Sequence, residues 1–254
     1  LIFYKNSYVL TQLRYFPYIQ LTIIGIFLLV AYMLFSTARR SEQNQVWAGL
    51  AKETAHQLGT PLSSMMAWVD YLETKDIDSD IIEELRKDVS RLSTITDRFS
   101  KIGSNPSLQP ENLVSVIYTS VSYLKTRTSQ KINFSINVPP EQSIVIPLNL
   151  QLFEWVIENL VKNAVDAMTR QGKITIDIVE ENKVVTIDIS DTGKGLPRNM
   201  FKTIFNPGYT SKQRGWGLGL SLSKRIISEY HKGKIFVKSS VVGKGTTFRI
   251  VLKK

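Results

Sequence analysis

The chain has 254 residues, 43% hydrophobic and 21% charged, with a formal net charge of +10; this suits one large or two modest domains and argues against an acidic disordered polymer. It contains no cysteine and only two histidines, His56 and His231. That excludes a disulfide framework, a Cys-ligated zinc or iron–sulfur site, a thiol nucleophile and a multi-histidine metal centre.

Phe16 to Phe35, FPYIQLTIIGIFLLVAYMLF, is a run of twenty residues without a charge. As a helix it spans about 30 Å, the hydrocarbon thickness of a bilayer. Tyr15, Phe16 and Tyr18 suit the headgroup layer at its leading edge. Arg39 and Arg40 place the trailing side in the cytoplasm. Residues 16–35 are therefore expected to cross a membrane, with residues 1–15 an extracytoplasmic remnant. A chain that opens on Leu1 reads as a fragment whose sensing part lies upstream.

Residues 41–103 carry seven basic and eleven acidic groups, and apolar or small residues recur at Ala51, Ala55, Leu58, Leu62, Met65, Val69 and Leu72. Alternating steps of four and three are the seam of a coiled coil or helical bundle. A second seam runs through Ile82, Leu85, Val89, Leu92, Thr96 and Phe99, after a charged break with Asp78 or Ser79 as N-cap. Two such helices form an antiparallel hairpin over residues 36–103, and a second copy would cover the apolar stripe that one hairpin leaves open. His56 falls one place after a seam residue and faces outward, with Thr60 one turn further on the same face. Pro61 removes a helical hydrogen bond and is expected to kink or loosen the helix there. A lone surface histidine is ordinarily solvated decoration.

Prolines and polar residues mark residues 104–110 as a linker. Residues 108–254 hold twenty-one basic and eleven acidic groups. The lysines are scattered rather than clustered with aromatics, so nucleic acid is not expected as a partner. From 111 to 254 the pattern is α+β: helices over Leu113–Thr126, Leu150–Arg170 and about Leu218–Tyr230, and strands over Lys131–Val138, a hairpin of ITIDIVE and VVTIDIS, Lys234–Lys238 and Thr246–Leu252. These predict a mixed sheet covered by helices on one face.

Four local motifs follow in order. Asn159 and Asn163, one helical turn apart, offer hard amide oxygens suited to Mg²⁺ beside phosphate, though buried helix amides are equally ordinary. Asp191-Thr192-Gly193-Lys194-Gly195 at a strand end offers a carboxylate for an exocyclic amine and glycines for close backbone approach, or simply an Asx-capped turn. Gly215-Trp216-Gly217-Leu218-Gly219-Leu220 opens a helix whose free N–H groups suit a polyphosphate, with neither P-loop nor dinucleotide spacing. Gly243-Lys244-Gly245-Thr246 precedes the last strand.

Together these strings carry a resemblance. Lys52 to Leu62, KETAHQLGTPL, resembles the phosphoacceptor box of sensor histidine kinases. The four later motifs, with the intervening Phe201–Gly208 string FKTIFNPG, resemble the N, G1, F, G2 and closing Gly-Thr boxes of the ATPase fold shared by histidine kinases, gyrase and MutL. The implied architecture is multidomain: a transmembrane helix, a dimeric four-helix bundle built from two hairpins, and an α+β two-layer sandwich that binds ATP. By resemblance His56 accepts the γ-phosphoryl group of Mg-ATP, Thr60 positions water for dephosphorylating a partner, and Gln57 stands where the family carries an acidic residue. Gln57 can orient the ring but is no base; Glu53 is a candidate substitute.

The same resemblance assigns Asp191 to the adenine amine, with Gly193 and Gly195 beside it, and Mg²⁺ to Asn163 aided by Asn159. Gly217, Leu218, Gly219 and Thr246 complete the nucleotide boxes. Residues from about Lys194 to Trp216 would form a mobile lid. Asp166 stands where many relatives carry Lys, which shifts phosphate neutralisation to Lys212 or Arg214. His231 matches a common structural position. The implied partners are a second copy of the chain, the membrane and the receiver domain of a response regulator, at a bacterial inner membrane. Alternatives left open are a phosphatase-biased member, a non-catalytic dimeric scaffold retaining the nucleotide fold, and an ATPase of the gyrase or MutL type.

Overall fold

The computed structural model of the chain describes residues 8–75, 79–102, 107–169, 171–210 and 217–254. The first element is one uninterrupted helix, α1 (Tyr8–Glu73), of 66 residues. Its stretch Arg14–Ser36, of mean hydropathy 2.2 and wholly unburied, is long and apolar enough to cross a membrane. Within it the Thr22 hydroxyl donates to the Tyr18 carbonyl at 2.7 Å, so its polar group needs no water. Pro17 and Pro61 both lie inside α1, and the helix runs through them unbroken. Proline removes only one N–H donor; at Pro61 the helix on either side persists, with the Ser63 hydroxyl bonding the Gly59 carbonyl at 2.9 Å.

Helix α2 (Ser79–Ile102) returns alongside α1. Leu62 and Val69 of α1 and Ile82 and Val89 of α2 form a small buried cluster, with Ala55 and Thr96 also buried. Arg86 bridges Asp70 at 2.9 Å and Glu73 at 2.6 Å near the turn. The heptad seams thus divide into two ridges. One closes the hairpin, while Leu58, Met65, Leu85 and Leu92 on the other remain 46%, 48%, 42% and 50% exposed. Asp78, one of the two expected N-caps, lies outside the described residues.

The expected linker over residues 104–110 is too long. Its last two residues open β1 (Gln109–Asn112), which pairs antiparallel with β3 (Val145–Leu148) and sets Pro110 opposite Pro147. A two-stranded edge ladder tolerates proline because half of its N–H groups face away from the partner.

The main sheet joins β2 (Ile132–Ile136), β4 (Gly172–Glu180), β5 (Val184–Asp191), β6 (Lys234–Val241) and β7 (Gly245–Lys253) in the order β2-β4-β5-β7-β6. Only β2 and β4 pair in parallel, so the sheet is mixed. Strand alternation sends Ile174, Ile176, Val185, Ile187, Ile189, Phe248 and Ile250 into one buried face. Against it lie α3 (Leu113–Lys125), α4 (Leu150–Ala167) and α6 (Gly219–Arg225), the last continued by a π-helical turn Ile226–Tyr230. Helix α4 supplies Leu152, Phe153, Val156, Ile157, Leu160 and Val161, all buried, at helical spacing. It stops at Ala167, before the expected Arg170, because Met168 turns to extended backbone (φ −103°, ψ 110°). A short helix α5 (Met200–Thr203) was not anticipated.

Candidate nucleotide site

Asp191 ends β5, 7% exposed, flanked in register by Ile174 of β4 and Thr246 of β7. The Gly193 N–H donates to its Oδ1 at 2.8 Å. Burial pushes the Asp191 carboxyl above its ordinary range, opposed by the N–H bonds from Gly193 and Thr246. The following loop is seated on the end of α4. A Cβ on Gly193 would lie 2.7 Å from the Ala167 Cβ, and the Lys194 N–H donates to the Ala167 carbonyl at 3.0 Å. Gly195 takes φ +69° where a side chain would strike the Val241 carbonyl at 2.1 Å. The Gly243 N–H closes back on the Lys194 carbonyl at 2.8 Å. Buried Thr246 shares a 2.9 Å hydrogen bond with Ser240, whose hydroxyl accepts from the Leu196 N–H at 2.7 Å. The first glycine motif and the last one are therefore one structural unit.

Asn159 and Asn163 sit half-buried one turn apart on α4, and Asn163 is one turn before Ala167. The Asn159 amide lies 3.5 Å from both the Gly219 carbonyl and the Ser223 hydroxyl, which ties α4 to the first turn of α6. Leu218 precedes α6 without a capping side chain, so the opening N–H groups of that helix receive no acceptor from it. Gly217, at φ +66°, accepts from the Gly208 N–H at 3.2 Å, which closes the base of the loop between them. Lys212 and Arg214 fall on that loop, outside the described residues. The expected lid from Lys194 to Trp216 is corrected in its first half. Ile204 and Phe205 are buried in the core, Phe205 meeting Phe248 edge to face at 6.3 Å between ring centres, so this part of the span is anchored on the sheet layer.

His56, Gln57 and Thr60 all lie on α1; Gln57 and Thr60 are exposed, and the side chains of His56 and Glu53 lie outside the described residues. Hairpin and sheet layer meet elsewhere. Arg98 of α2 grips Glu158 of α4 through Nη1–Oε2 at 2.8 Å and Nη2–Oε1 at 3.1 Å. Burial pushes the Glu158 carboxyl up, but Arg98 and, less strongly, Lys162 hold it below the usual range. The Arg98 guanidinium also stands 5.8 Å from the Trp155 ring centre. Asp166 is exposed on the last turn of α4.

His231 is buried. Its Nε2 accepts from the Asn149 N–H at 3.1 Å and its Nδ1 lies 3.0 Å from the Ile226 carbonyl, which fixes the neutral tautomer with the proton on Nδ1. Burial pulls its pKa down. It joins the start of α4 to the end of the π-helical turn.

Residues 149–254 match the family described as histidine kinase-, DNA gyrase B-, and HSP90-like ATPase. Sensor histidine kinase ZraS of Salmonella typhi is 30% identical over 227 residues, covering 86% of this chain and 48% of that protein. The chain is a relative of the sensor histidine kinases, with an ATPase domain of the gyrase and MutL type. The solved catalytic domain of histidine kinase ThkA matches with TM-score 0.52 and 26% identity, over 58% of this chain and 95% of that one. Histidine kinase ThkA in complex with response regulator protein TrrA shares the fold at TM-score 0.56 and 22% identity, over 88% of this chain and 66% of that one. The chain spans about half the length of the curated relatives it matches.

In this histidine kinase homologue the structure brings Asp191, Gly193, Gly195 and Thr246 into one unit and sets it on the end of the helix that carries Asn159 and Asn163. Gly219 meets the same helix at Asn159, and Leu218 joins its Trp155 against Leu222. Sequence reasoning passed over Ser240, Ser223, Arg98 and the role of Glu158. Ser240 and Ser223 carry no signal beyond being hydroxyls. Arg98 and Glu158 are sixty residues apart, and nothing local announces that they meet.

Proposed function

We propose that the chain is the membrane-anchored kinase part of a sensor histidine kinase, dimeric through its hairpin, that autophosphorylates His56 from Mg-ATP and passes the phosphoryl group to an aspartate of a response regulator. The observation that carries this is the buried Asp191 at the strand end, with one carboxylate oxygen engaged by Gly193 and the whole unit seated on the Asn159–Asn163 helix. Such a carboxylate selects a ligand that brings its own donor, as an adenine amine does. The amides of Asn163 and Asn159 would share Mg²⁺ with phosphate oxygens; among the described residues no cluster of three His, Cys, Asp or Glu offers a metal site independent of phosphate. Bound there, Mg²⁺ would neutralise charge on the transferring group. The N–H groups at Leu218 and Gly219, with Lys212 and Arg214 of the loop, would hold the phosphates.

His56 supplies an unprotonated ring nitrogen. The N–P bond forms as the bond from γ-phosphorus to the bridging oxygen breaks, ADP departs, and the ring sheds its proton to Glu53 or to solvent, since Gln57 offers no base. Thr60, one turn on, would orient water for a separate reaction, hydrolysis of the partner's aspartyl phosphate to aspartate and inorganic phosphate. The exposed ridge of Leu58, Met65, Leu85 and Leu92 supports a second hairpin as its cover, which completes four helices. The match to ZraS, a sensor histidine kinase by name, and the ThkA complex with a response regulator support the partner class.

The test is phosphoryl incorporation from γ-labelled Mg-ATP into the chain beside His56→Ala and Asn163→Ala. The reading expects acid-labile, alkali-stable label that both substitutions abolish. An unlabelled wild type that still binds nucleotide would refute kinase activity.

A further inference from the structure

We propose that Arg98 is a positioning residue for the transfer to His56: its fork on Glu158 docks the ATPase domain against the hairpin at the height of that histidine. This rests on the kinase reading above and goes beyond it by naming what holds donor and acceptor together.

The first support is the quality of the contact. Both nitrogens of the fork are used, and the two side chains are only 15% and 11% exposed. The Arg86 pairs within the hairpin differ, with partners 62% and 50% exposed to competing water. A bidentate guanidinium–carboxylate pair fixes direction as well as distance, which lysine in the same place would not. Trp155 backs the guanidinium, and the Lys101 ammonium donates to the Gln151 side chain one turn earlier on α4. Three residues of one α4 face thus meet two of α2.

The second is height. In the antiparallel hairpin Leu62, Val69, Ile82 and Val89 share one buried cluster, and the chain order on either side of the turn sets Val69 level with Ile82 and Leu62 level with Val89, while Arg86 reaches Asp70 and Glu73. Stepping along α2 from these levels to Arg98, and equally far back along α1, arrives within about one helical turn of His56. The fork therefore grips the hairpin beside the acceptor rather than near the turn or the membrane.

The third is what stands behind Glu158. Its neighbour Asn159 reaches Gly219 and Ser223 of α6, and Trp155, with Leu218, packs against Leu222. The residues that grip the hairpin and those that border the phosphate side of the nucleotide site share two turns of one helix. Moving α4 on the hairpin moves the donor site with it. Misplacement of reacting groups by about 1 Å costs on the order of a hundredfold in rate, so a contact that sets this placement acts on transfer without touching either reactant.

The chain has no native thiol, which allows docking to be read directly. Lys101→Cys and Gln151→Cys, introduced together in the full chain, report docking as the yield of a short bismaleimide cross-link. This is measured in the otherwise unchanged chain, in Arg98→Glu, in Glu158→Arg and in the double charge swap. Affinity for a fluorescent ATP analogue and single-turnover label on His56 are measured in the cysteine-free counterparts. Each single reversal should cut cross-linking and labelling about tenfold or more while nucleotide affinity stays within about twofold, and the swap should restore both. Unchanged cross-linking in the single variants overturns the docking. Lost cross-linking with labelling unchanged or raised overturns the positioning role. Absence of label in the unmodified chain would instead sink the kinase reading, a distinct failure because it appears before any Arg98 variant is made.

Discussion

Asp191→Asn should weaken nucleotide binding while leaving the ligand-free chain as stable as before or more so. The Gly193 N–H already occupies Oδ1 at 2.8 Å, so an asparagine placed there keeps its oxygen on Gly193 and turns its NH₂ toward the ligand. Adenine's amine then meets a donor instead of a charged acceptor. Hydrogen bonds to charged groups contribute about 1.5–3 kcal/mol, which at 1.4 kcal/mol per decade corresponds to roughly 10- to 150-fold in dissociation constant. The stability effect has the opposite sign. Burial raises the native pKa of Asp191 above its unfolded value, so its contribution is present below the unfolded pKa and is lost as pH rises through the folded one. At neutral pH the buried carboxylate is a cost that the neutral amide removes. Titration calorimetry with an ATP analogue and thermal melting without nucleotide, both near pH 7.5, separate the two. Affinity that does not change would refute the assignment of Asp191 to the base. Affinity and melting temperature falling together would mean that the residue is simply structural.

His231→Gln tests the tie between α4 and the π-helical turn. The native pKa of His231 is lowered by burial, so the native state resists a proton that the unfolded chain takes up. Its contribution is complete above the unfolded value near 6.5 and declines as pH falls toward the folded one, by up to about 1.4 kcal/mol per pH unit. Melting curves from pH 7.5 to 5.5 should show a smaller pH dependence in the variant; identical slopes would exclude the histidine as the source. Gly245→Ala, at φ +121° with a Cβ 1.9 Å from the Asp191 carbonyl oxygen, should cost about 2–4 kcal/mol and weaken nucleotide binding. Gly243→Ala, at φ +79° with nothing within 4 Å, should cost only about 1–2 kcal/mol. Equal losses in denaturant unfolding would contradict the steric account.

The helices over Leu113 and Leu150 and the strands around Ile176 and Ile187 were legible because period and burial agree in them. So was the ordering of the nucleotide motifs, since Asp191, Gly193 and Gly195 are local in sequence. What escaped was set by tertiary contact. Residues Gln109 and Pro110 read as linker because proline and polarity mark loops, yet an edge pairing with Leu148 and Pro147 recruits them into a strand. The span from Lys194 was assigned to a lid by the family resemblance alone, while Ile204 and Phe205 pin part of it to the core. The seam residues of the hairpin were visible at Leu58 and Leu62 alike, but their period alone does not say which ridge faces α2 and which faces outward.

The strand that begins at Gln109 also sets the length of a leash. Helix α2 ends at Ile102, so few residues join the last turn of the hairpin to the first fixed strand of the nucleotide layer. Fully stretched, that span reaches about 25 Å. Since Ile102 lies one turn beyond Arg98, close to the level of His56, the nucleotide layer stays tethered near that histidine even when its contacts with the hairpin let go. Tethering at this radius corresponds to an effective concentration of millimolar order or above. On the kinase reading proposed above, encounter of nucleotide and His56 is then never scarce, and orientation is what a signal would control.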